Sequence, residues 1–138
     1  MSDPIEPFLG DWILDIDESD YEQGEPPQSG SCGISTDGMR LVFTMVTVDS
    51  KGERIEAELK GVPDGRPKKM EESGLIDAMV LFARPDGALV SEARRGGAAL
   101  MTAVRKLSDD ASTMTITQTV YLPDETSVVD TTVYRRAH

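Results

Sequence analysis

The chain has 138 residues, of which 38% are hydrophobic and 28% charged, with a formal net charge of -11. This length and composition predict one globular domain over residues 1–138. The acidic balance weighs against nucleic acid and anionic membranes as partners, and the longest apolar run, Ala78–Ala83, falls far short of the ~20 residues that span a bilayer.

Residues 1–25 hold nine carboxylates and no Lys or Arg, so they account for most of the net charge. The simplest reading of that charge is a solvated, solubilising surface. Met-Ser-Asp-Pro at the start lacks the basic and apolar regions of a secretion signal, which predicts a cytoplasmic protein with Cys32 reduced. A first strand is expected at 11–17, and residues 22–31, with Pro26-Pro27, read as an extended loop. Strands follow at 30–36 and 39–48, separated by Asp37-Gly38. The next, 53–62, alternates cleanly: Ile55, Ala57 and Leu59 on one face, with Arg54, Glu56, Glu58 and Lys60 on the other.

Residues 68–82 are ambiguous. Lys68-Lys69-Met70-Glu71-Glu72 reads as helix, Gly74 argues against one long helix, and strand is expected from about 76 to 84. Strands at 88–95, 98–107, 112–122 and 127–136 complete the chain, punctuated by Pro85-Asp86-Gly87, Gly96-Gly97, Ser108-Asp109-Asp110-Ala111 and Pro123-Asp124-Glu125. In the strand at 112–122 Met114, Ile116, Gln118 and Val120 share a face opposite Thr113, Thr115, Thr117 and Thr119, a β-branched row suited to a pleated surface. The fold class expected is all-β: one antiparallel up-and-down meander of roughly 8–10 strands, closed into a barrel because closure removes exposed edges.

Chemistry-bearing residues are sparse. The single histidine is His138, which argues against histidine catalysis, multi-histidine metal sites and haem ligation. Cys32 has no nearby base and reads as a structural thiol. Asp15-Ile16-Asp17-Glu18-Ser19-Asp20 lacks the central Gly and closing Glu of an EF-hand, and reads as a solvated strand end. Arg94-Arg95 and Lys68-Lys69 read as solvated edges. No metal, cofactor or catalytic set is nominated.

Phe8-Leu9-Gly10-Asp11-Trp12 resembles the Gly-x-Trp signature of the calycin superfamily, the lipocalins and fatty-acid-binding proteins, and Thr132-Val133-Tyr134-Arg135-Arg136 resembles the last strand of the fatty-acid-binding branch. Over nearly the full length the chain is most similar to bacterial lipocalin-like proteins of unassigned function. The resemblance implies that Gly10 and Trp12 form a plug at one barrel end beneath a late arginine, for which Arg105 and Arg135 are taken and Arg136 stays open. It departs from the fatty-acid-binding pattern in two respects. Residues 19–30 are too short and proline-rich for a two-helix lid. Tyr134 matches the ligand-carboxylate tyrosine while Thr132 stands at the arginine position, which argues against a fatty acid.

A barrel of this size is either filled or holds one small ligand. Six methionines besides Met1 suit an adaptable lining. The interior ligand-binding residues expected are Phe43, Met45, Met79, Leu81, Met101 and Met114, with Gln118 and Thr131 supplying hydrogen bonds. The leading functional expectation is a cytoplasmic barrel that binds a small, mostly apolar molecule. The alternative is a ligand-free barrel acting as an interaction or homodimer module. For a third, an enzyme at the barrel mouth, the sequence offers no convincing residue.

Overall fold

The computed structural model describes residues 5–21, 25–69 and 77–137. A 3-10 turn, Glu6–Phe8, leads into β1 (Gly10–Tyr21), β2 (Ser29–Asp37), β3 (Arg40–Val48), β4 (Arg54–Gly61), β5 (Lys68–Lys69), β6 (Ala78–Ala83), β7 (Leu89–Arg95), β8 (Ala98–Leu107), β9 (Thr113–Tyr121) and β10 (Ser127–Arg136). All pairings are antiparallel, in the order β4-β3-β2-β1-β10-β9-β8-β7-β6-β5. The first and last long strands therefore meet, with Trp12 opposite Arg136 and Leu14 opposite Tyr134. This is the all-β meander that the alternating pattern predicts, a nearly closed barrel. At the remaining seam, Leu59, Gly61 and Val62 meet Met79 and Leu81 without a ladder between β4 and β6.

The differences from expectation lie at two places. Lys68-Lys69, read as a helix start, form β5 opposite Met79 and Ala78; residues 70–76, where helix and strand compete, lie outside the described residues, as do 22–24 of the predicted loop. Strand β1 also runs past 17. Its register against β10 shifts between Asp15, opposite Val133, and Asp20, opposite Thr131. Ser19 Oγ bridges that bulge, donating to the Asp15 carbonyl at 2.7 Å and accepting from the Val133 N–H at 2.9 Å. One hydroxyl thus replaces the ladder bonds the bulge removes, and the strand resumes.

Five aspartates hold turns. Asp49, Asp64, Asp86, Asp110 and Asp124 each accept the N–H of the residue two positions on, at 2.9–3.1 Å. Part of the chain's acidity is therefore turn chemistry. Asp110 also accepts from the Ser112 and Ser108 hydroxyls, and these bonds hold its carboxyl at about 2, below the ordinary 3.8. A carboxyl depressed on folding adds stability above its unfolded pKa, and that stability disappears as pH falls through the folded value. Asp110→Asn is accordingly expected to be less stable than the wild type at pH 6, with the deficit closing between about pH 4 and pH 2. Urea unfolding at a series of pH values checks this; a deficit constant over that window would assign the effect to turn geometry instead.

Directly opposed residues share a face of a sheet, so Trp12 sets the inside of the barrel. On one side the inward set runs through Cys32 to Met45 and Ala57. On the other, Tyr134, Met114 and Leu107 face in together. The core gathers at one end, where Ile5, Phe8, Trp12, Ile34, Leu41, Phe43, Leu89 and Met114 are buried against one another.

Candidate ligand-binding site

Trp12, fully buried, closes the packed end. Its indole Nε1 donates to the Phe8 carbonyl at 3.0 Å, so the 3-10 turn is fastened across the barrel end. The cation over the ring is Arg136, 4.2 Å from the centroid. Its guanidinium also donates to the carbonyls of Leu9, Pro7 and Ala111 at 2.8, 2.7 and 3.1 Å. Gly10 is required beside it: its φ is +126°, and a Cβ there would lie 2.9 Å from Arg136 Nη1.

Neither arginine taken for the plug occupies that position. Arg135 points outward by strand alternation, and its Nε pairs with Asp15 Oδ2 at 2.5 Å on the outer face. Arg105 faces inward but stacks on a different ring, 4.7 Å from the Phe43 centroid, and donates to Ser91 Oγ at 3.0 Å. It is only 6% exposed. Burial lowers its pKa, opposed by Cys32 and Tyr134. The Cys32 thiol is in turn pushed up to about 11 by burial, with Arg105 opposing, so it is uncharged at neutral pH and a poor nucleophile.

The expected interior residues do not gather at one place. Phe43 and Met114 belong to the packed end, with Met45 against it. Met79 and Leu81 line the narrow apolar recess at the β4–β6 seam, and Met101 faces inward opposite Val120. Gln118 alone of the eight lines a cavity of about 290 Å³ at the open end. Thr131 does not join it: opposite Thr117, it faces outward, whereas its neighbours Asp130 and Thr132 face in.

That cavity is built by alternation on two strands. Gln118 of β9 stands opposite Asp130 of β10, and Asp130, Thr132 and Tyr134 follow on the same face. Leu14 and Thr47 complete the wall from β1 and β3, while Glu25, Pro27, Asp49 and Ser50 rim it from the loops. Gly30 makes this possible, because a Cβ at that position would lie 3.0 Å from Leu14 Cδ2. The Gln118 amide has no hydrogen-bond partner among the described residues. The wall is thus more polar than a methionine-rich interior predicts. No group of three or more His, Cys, Asp or Glu among the described residues could hold a metal ion.

Asp130, Thr47 and the inward role of Thr132 are absent from the sequence reading. Tyr134 carried the missing signal: once it faces in, Thr132, Asp130 and Arg136 must face in with it.

No protein-family model and no curated protein matches the sequence. Solved structures match the fold. Zebrafish ileal bile acid-binding protein, complexed with cholic acid, gives a TM-score of 0.56 at 13% identity, over 95% of this chain and 99% of that one. The siderocalin Ex-FABP, described as functioning through dual ligand specificities, gives 0.51 at 14% identity over 95% and 74%. Lobster apocrustacyanin A1 gives 0.52 at 12% identity over 96% of this chain and 62% of that one.

Proposed function

We propose that this chain, which has the calycin-superfamily fold, holds one small molecule in the cavity at the open end of the barrel. The observation that carries this reading is the Gln118 amide, without a hydrogen-bond partner among the described residues, in the wall of a void of about 290 Å³. A volume near the lower end of the roughly 300–1,000 Å³ usual for small-molecule sites suits a compact ligand. The zebrafish neighbour complexed with cholic acid supports the same use of the fold. The reading places the barrel in the cytoplasm, where Cys32, a free buried thiol, stays reduced. No helix among the described residues is long and apolar enough to cross a membrane.

The second reading, an interaction or homodimer module, has its candidate in β4, an end strand of the sheet. Its outer face carries ion pairs, Arg54–Glu56 at 2.9 Å and Lys60–Glu58 at 3.4 Å. Charged edges of this kind resist strand addition, so the cavity is the better-supported site.

Gln118→Leu tests the proposal. Removing an amide that bonds no group among the described residues is expected to leave the stability measured by urea unfolding unchanged within about 0.5 kcal/mol. A ligand recovered from the native protein should bind the variant at least fivefold more weakly by calorimetry, because the amide's hydrogen bonds are lost. Unchanged affinity would remove Gln118 from the site.

A further inference from the structure

Strand β1 leaves the sheet beside the cavity. Its ladder with β2 ends at Ile13, opposite Ser31, and its ladder with β10 breaks after Asp15 and resumes at Asp20. Residues 16–19 therefore pair with neither neighbouring strand among the described residues. On the β10 side of the break, Asp15 meets Val133 and Asp20 meets Thr131, so these four residues of β1 oppose Thr132 alone. A bulge ordinarily adds one residue to a strand; this one adds three.

Voids lie on both sides of that break. Thr132 lines the cavity at the open end together with Leu14. Leu14 also lines a second recess, of about 460 Å³, whose other walls include Ile13, Asp15, Ile16 and Arg135. Ile13, Asp15 and Arg135 belong to the outer face, so this recess opens to the outside, and the Leu14 side chain partitions it from the cavity. Two side chains hold the unpaired stretch in place. Ser19 Oγ spans it, bonded to the Asp15 carbonyl and to the Val133 N–H. The Asp15 carboxylate accepts the Glu18 N–H at 3.4 Å and the Arg135 Nε–H. With no ladder to undo, opening the barrel here breaks only these few bonds, whereas opening it elsewhere breaks a strand pairing.

We propose that residues 16–19 form a lateral gate: when the Ser19 clasp releases, the stretch swings outward and Leu14 no longer separates the cavity from solvent. The gate gives the cavity a route between β1 and β10 in addition to the open end. It builds on the cavity reading above and controls entry to that site whatever molecule occupies it.

Two thiols in one molecule test the gate. Thr132→Cys places a thiol in the cavity wall behind it, while Cys32, only 3% exposed, reports opening of the packed end. Both are followed by mass spectrometry as the full chain reacts with methyl methanethiosulfonate, a small neutral reagent. The introduced thiol is expected to react faster than Cys32. Adding Ser19→Ala removes the hydroxyl from the Val133 N–H and the Asp15 carbonyl, and should speed the introduced thiol about tenfold with Cys32 unchanged. Ser19→Thr, which keeps a hydroxyl, should hold the original rate. Gln118→Cys, on the same wall, serves if Thr132→Cys does not fold. Equal acceleration of both thiols overturns the gate, because Ser19 then supports the barrel as a whole. No acceleration of either also overturns it and leaves the cavity reading standing, with the open end as the route. An introduced thiol as inert as Cys32 even with Ser19→Ala overturns both.

Discussion

Trp12→Ala is expected to lose about 3–5 kcal/mol of stability, the range for removing a fully buried large aromatic side chain. Trp12 has no exposed surface, and three interactions depend on it. Its ring contacts the core cluster of the packed end. Its Nε1–H satisfies the Phe8 carbonyl, and Arg136 stacks on its face. The loss would be a large part of the 5–15 kcal/mol typical of a folded domain. Trp12→Phe separates these contributions: it keeps a ring beneath Arg136 but leaves the Phe8 carbonyl without its donor, which is expected to cost about 1–3 kcal/mol. Urea midpoints at unchanged slope give both numbers. A loss below about 1 kcal/mol for Trp12→Ala would mean that the barrel end does not depend on this plug.

Arg105 is expected to give opposite results in two substitutions. Its guanidinium is buried, with a hydroxyl and an aromatic face as its contacts and no carboxylate in ion-pair range among the described residues. Burial therefore costs the charge more than these contacts return, consistent with its lowered pKa. Arg105→Met keeps most of the side-chain volume and removes the charge, and is expected to lie within about 1 kcal/mol of the wild type. Arg105→Ala leaves a void beside Phe43 and Ser91 and is expected to cost about 2–4 kcal/mol. Chemical denaturation of both variants checks the contrast. Equal, large losses would show that the charge itself stabilises the barrel.

The barrel was legible because two independent signals coincide in this sequence. Strict alternation, as in Arg54–Lys60, marks a half-exposed strand, and the Asp and Gly residues between runs dictate tight turns. At the hairpins the aspartates accept the backbone N–H bonds that close them. Where both faces of a strand carry similar residues, sequence loses the parity. In β10, Val128 and Val129, then Thr131 and Thr132, leave no hydrophobic side to choose, so the pattern alone does not tell whether Thr131 or Asp130 faces in. The same ambiguity leaves Arg105, Arg135 and Arg136 as alternatives over Trp12, and Arg136 is the one that stands there. Closure supplied what sequence could not: only the β1–β10 register fixes which late residue meets the indole. The cavity follows from the same closure. An acid and an amide facing into a barrel contradict the hydrophobic pattern, and such local exceptions are where binding sites occur.

Native mass spectrometry of the protein purified gently from its own cells tests the central claim most directly. The account predicts a species heavier than the 15.0 kDa polypeptide by the mass of one small molecule, an excess that disappears on denaturation and is reduced in Gln118→Leu. A monomer of bare polypeptide mass would contradict it.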